Sequence, residues 1–76
     1  MSHNVNEAKY RHILVEQCKT KEEASELKGK LFAEGFSNVF INDQNEVIIL
    51  PGTRNMLEVL IDDVILAGFY DAQLVK

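Results

Sequence analysis

Displaced by 33 residues, the chain falls on itself without a gap: Thr20 on Thr53, Gly35 on Gly68 and Phe36 on Phe69. Leu14, Val15, Leu27, Leu31 and Ile41 meet Val47, Ile48, Leu60, Val64 and Leu74 in the same alignment. Each half reads as one unit: a strand, a Thr-capped helix, a Gly-Phe stop and a second strand. Two such units can interleave into one sheet of four strands with two helices. The repetition is architectural and does not by itself establish common ancestry.

The first unit opens with Tyr10-Arg11-His12-Ile13-Leu14-Val15-Glu16-Gln17-Cys18, which ends in a β-rich run and gives a strand near residues 11–18. Thr20-Lys21-Glu22-Glu23 then begins a helix as a capping box: Thr20 accepts from the third helical amide and Glu23 reaches back to the Thr20 amide. Ala24, Leu27 and Leu31 follow at helical spacing, with Phe32 alongside. Gly35 supplies the left-handed residue that stops the helix, and Phe36 packs back on the last turn. Gly29 is either a weak point in this helix or a place of close approach.

Val39-Phe40-Ile41 is a short strand, Asn42-Asp43-Gln44-Asn45 is turn chemistry, and Glu46 to Leu50 is the next strand. Pro51-Gly52 ends it, Thr53 caps a second helix to about Ala67, Gly68 repeats the stop, and Ala72 to Val75 is the last strand. The order β-α-β-β-α-β interleaves two split β-α-β units. This predicts an α+β, ferredoxin-like fold: a four-stranded antiparallel sheet with two helices on one face. Residues 1–9 are polar and aperiodic and read as a flexible N-terminal arm, leaving 10–76 as a single domain.

Several residues in this frame also resemble a family. Lys21-Glu22-Glu23-Ala24-Ser25-Glu26-Leu27, then Leu31, then Glu34-Gly35-Phe36, with Pro51-Gly52-Thr53 before the second helix, resemble the SPOR domain over residues 13–75. That resemblance implies the same βαββαβ fold and, as a function, binding of peptidoglycan glycan strands outside the cytoplasm. Gln17-Cys18-Lys19 stands where that family carries a glycine turn, so fold transfers more readily than glycan binding.

Charge and composition exclude other classes. The chain has 76 residues, 12 acids against 8 bases and a net charge of -4, which is unsuited to neutralising phosphates, so no nucleic-acid partner is expected. The central strands carry Leu14, Glu16, Val47 and Ile49 where RNA-recognition folds of this topology carry aromatics. Uninterrupted apolar runs such as Val64 to Ala67 are far short of the roughly 20 residues that span a bilayer. Met1 to Glu7 has neither a basic nor an apolar segment of secretory type, and with the lone Cys18 this predicts a cytoplasmic protein. One cysteine gives no disulfide, and His3 and His12 have no ligand partners at useful spacing, so neither metal nor cofactor is expected. Domains this small bury only about 60% of their unfolded surface. A partner subunit is the expected aid.

Two surfaces are candidates for it. Alternation places Ile13, Val15, Val39, Ile41, Ile48, Leu50, Ala72 and Leu74 toward the helices. The opposite face then carries Leu14, Glu16, Cys18, Phe40, Val47, Ile49, Gln73 and Val75, and of these Leu14, Phe40, Val47, Ile49 and Val75 form an apolar dimer seam. The alternatives for that face are cover by the arm, through Val5 and Tyr10, or a ligand platform. On the second helix Met56, Leu57, Leu60, Ile61, Val64 and Ile65 make a core stripe, while Val59 and Leu66 widen the apolar arc and are a second candidate interface. Glu58, Asp62 and Asp63 on its other side are a solvated polar face or an acidic docking patch.

Catalysis is not expected. Lys19 beside Cys18 could lower the thiol pKa, but His12, six residues back, lies about 20 Å away by strand rise and cannot serve as its base within one chain. The sequence therefore predicts a non-enzymatic, homodimeric protein-interaction module. A SPOR-like glycan-binding module is the second reading, and a small enzyme using Cys18 with a base from another subunit is the third.

Overall fold

The structure is a computed structural model that describes residues 10–52 and 56–76. The arm read over residues 1–9, with Val5, and the cap read at Thr53 lie outside the described residues. The elements are β1 (His12–Gln17), α1 (Lys21–Ala33), β2 (Val39–Ile41), β3 (Glu46–Ile49), α2 (Leu57–Leu66) and β4 (Gln73–Val75). The strands form one antiparallel sheet in the order β2-β3-β1-β4, the ferredoxin-like α+β arrangement.

Local chemistry explains the helix boundaries. Thr20 is extended, and its hydroxyl accepts from the Glu23 amide at 3.1 Å. The Glu23 carboxylate accepts in return from the Lys19 amide at 3.1 Å, one residue before the amide expected of a capping box. Both helices end in the same motif. The Phe36 amide donates to Leu31 O and the Gly35 amide to Phe32 O, with Gly35 at φ +97°. The Phe69 amide donates to Val64 O and the Gly68 amide to Ile65 O, with Gly68 at φ +111°. These are two Schellman stops, 33 residues apart, and the residues they anchor, Leu31 and Val64, are fully buried.

The helix starts do not repeat. The bounds of α2 begin at Leu57, and Met56 holds the N-cap position with no side-chain hydrogen bond. Met56 corresponds to Glu23 in the first unit, so the carboxylate that completes the α1 start has no counterpart there. Met56 is accordingly not a core residue: it is 63% exposed.

One core cluster joins Ile13, Val15, Val39, Val47, Ile49 and Ala72 of the sheet region to Ala24 and Leu31 of α1 and Leu57 and Val64 of α2. Both helices therefore cover the same face of the sheet. Val47 and Ile49, expected on the open face, are 0% exposed within this core, whereas Ile48 is half-buried and Leu50 exposed. The reversal comes from the β2–β3 turn. Asn42 is paired with the next strand, its amide donating to Glu46 O, and only Asp43, Gln44 and Asn45 form the loop. Asn45 takes the left-handed φ of +61°, and the Asn42 side chain accepts from the Gln44 and Glu46 amides. A four-residue loop would set Ile48 opposite Val39, but a three-residue loop sets Ile49 there, and a slip of one residue exchanges the faces of the whole strand.

A second irregularity corrects β1. Its register with β3 shifts between Leu14 and Glu16, so that Glu16 lies across from buried Val47. Beyond this bulge Glu16 and Cys18 leave the open-face series, and Cys18 packs half-buried against the core cluster.

Candidate functional site

On the open face, cross-strand pairing assembles a row: Phe40 opposite Ile48, Ile48 opposite Leu14, and Leu14 opposite Gln73. His12 opposite Val75 lies one step along, and Glu46 opposite Gln17 lies at the other end. Leu14, Phe40 and Val75 are thus on the expected face, while Ile48 takes the place expected of Val47 and Ile49. The signal for Ile48 was the turn length and not the strand itself, because Val47 to Leu50 is apolar throughout and carries no alternation.

The row is free of charge until its margins, and apolar from Phe40 to Leu14. Phe40 is 46% exposed on the edge strand, and Leu14, Ile48 and Val75 are half-buried in the single chain. Glu46 is the one carboxylate paired into this face, and its Oε1 accepts from Asn42 Nδ2 at 2.7 Å.

The second surface lies on α2. Val59 is 61% and Leu66 82% exposed, two turns apart on the side away from buried Leu57 and Val64. Glu58, Asp62 and Asp63 are exposed on the same helix. By contrast, exposed Phe32 on α1 has a local partner, the Lys28 Nζ standing 5.7 Å from its ring centre.

Cys18 does not have the environment of an activated thiol. Partial burial first, then the charges of Glu16 and Glu23, push its pKa up, the opposite of what Lys19 alone suggests. Among the described residues no group of three or more His, Cys, Asp or Glu side chains is arranged to hold a metal ion. No described helix is long and apolar enough to cross a membrane.

The fold and these surfaces define a ferredoxin-like α+β domain with an apolar open sheet face. Comparison of the chain with models of known families, with curated proteins and with solved structures finds no match.

Proposed function

We propose that this chain is a non-catalytic interaction module that acts as a homodimer seamed through the open face of its sheet. The supporting observation is the row Phe40, Ile48 and Leu14, which crosses three strands without a charge on the face its own helices leave uncovered. A twofold seam sets each residue near its own copy, and an uncharged row meets itself without repulsion. Such a seam also supplies the apolar burial that a domain of this size lacks alone. A single half-buried thiol held protonated suits a reducing compartment, the cytoplasm.

Sedimentation at micromolar concentration, paired with far-UV circular dichroism, tests the seam. The wild type should sediment at twice the 8.6 kDa chain mass, and Ile48→Asp and Phe40→Asp as folded monomers. A wild type found only at 8.6 kDa overturns the dimer. Co-sedimentation of the wild type with isolated cell-wall sacculi, lost in Ile48→Asp, would replace it with the glycan-binding reading implied by the SPOR resemblance.

A further inference from the structure

We infer that the outer face of α2 is a docking surface for a cationic amphipathic helix of another protein. At 3.6 residues per turn Val59 and Leu66 stand almost in line, about 10 Å apart along the axis. Asp62 and Asp63 lie between them, each turned about 50° to one side of that line. The face is therefore two exposed apolar side chains, at 61% and 82%, inside an acidic frame completed by Glu58.

Three observations identify the occupant. From Met56 to Val75 the chain has no lysine or arginine, so the frame has no neutralising side chain within that stretch. Glu58 and Asp62 are like charges one turn apart, and Asp63 stands in the last turn of α2, at the negative end of the helix dipole, with no base there. The isolated chain thus keeps an arrangement that is unfavourable twice over, and a docked cation relieves both terms. A second copy of this chain is excluded as the occupant by the same charges: a twofold contact centred on Val59 and Leu66 sets acids against acids. A partner helix with two or three leucines on one face, flanked by lysines, satisfies the apolar pair and the frame together.

The probe is a synthetic 18-residue helix with leucines at i, i+3, i+4 and i+7 spacing and flanking lysines. Two control peptides accompany it, one with the lysines replaced by glutamates and one with the leucines replaced by alanines. Titration into the full-length wild type is followed by amide chemical shifts. The lysine-leucine peptide should shift residues 57–67, spare Phe40 and Ile48, and bind at least tenfold more tightly than either control. Leu66→Ser should weaken it about tenfold, the loss of one buried leucine. Asp62→Asn with Asp63→Asn should weaken it several-fold and flatten its dependence on salt. Both sets of positions are exposed, so the fold is not at stake, and dichroism checks this. Equal binding of the alanine control, or no loss in Leu66→Ser, reduces the contact to unspecific charge attraction and overturns the proposal. Shifts confined to the sheet face, or no binding, overturn it as well.

Discussion

Ile48 lies directly across from Leu14 in the β1–β3 ladder, and its neighbour Ile49 lies across from Ile13 on the other face. Adjacent isoleucines of the same strand thus have different tasks. Ile49 is buried in the core with Val39 and Leu31, whereas Ile48 faces outward between Phe40 and Leu14.

Truncation should separate them. Ile49→Ala removes fully buried atoms and should destabilise by about 2–5 kcal/mol. In dilute solution, where any dimer is dissociated, Ile48→Ala should cost well under half as much. Denaturant midpoints measured on both variants at two protein concentrations check this. Equal losses at the lower concentration would mean that the turn count is wrong and the strand faces the other way.

What was legible in the sequence depended on how many signals agreed. The Schellman stops at Gly35 and Gly68 were legible because a glycine needing positive φ, an apolar residue after it and a buried leucine or valine before it coincide. The element order followed from these stops and the Thr20 cap. The phase of β3 was not legible, since four successive apolar residues fit either face and only the left-handed Asn45 decides. The bound of α2 at Leu57 was not legible, since Met56 at its N-cap has no side-chain bond of the kind that marks Thr20 and Glu23 in α1. Val59 and Leu66 lie exposed off the core stripe, where helical spacing with Glu58, Asp62 and Asp63 on α2 puts them. The open-face seam inherited the error in β3.

The unequal helix starts give a second prediction. Thr20→Ala removes the acceptor for the Glu23 amide and should cost about 1 kcal/mol. Met56→Asp installs a capping carboxylate where none exists and should stabilise by about 0.5–2 kcal/mol, since it also adds a negative charge at the positive end of α2. Thermal denaturation of the two variants should move in opposite directions.

Glycine substitutions should also differ in sign. A Cβ at Gly29 meets nothing within 4 Å, so this glycine is a weak point of α1 and not a place of close approach. Gly29→Ala should stabilise by about 0.8–1 kcal/mol through helix propensity. Gly35→Ala and Gly68→Ala are equally uncrowded but must hold φ at +97° and +111°, and each should destabilise by about 1 kcal/mol or more. Urea melts of all three variants check the pattern, and a gain at Gly35 would show that the helix stop is not formed.

The last prediction concerns Cys18. Its thiol is held protonated, first by partial burial and then by Glu16 and Glu23. A group whose folded pKa is raised binds its proton more tightly in the native state. The stabilisation is therefore fully present below the ordinary thiol pKa of 9.0 and is lost as pH rises through the raised value. Two consequences follow at once. Carbamidomethylation by iodoacetamide at neutral pH should be slower than for the same cysteine in the urea-unfolded chain, since thiolate is the reacting form. Glu16→Gln should raise that rate by removing one of the charges that oppose ionisation, without disturbing the core, because Glu16 is exposed beside the β1 bulge. The rates are to be followed across neutral and alkaline pH with the ultraviolet absorbance of the thiolate. A native thiol that reacts faster than the unfolded one would show that Lys19 outweighs the two carboxylates, and would return Cys18 to consideration as a nucleophile.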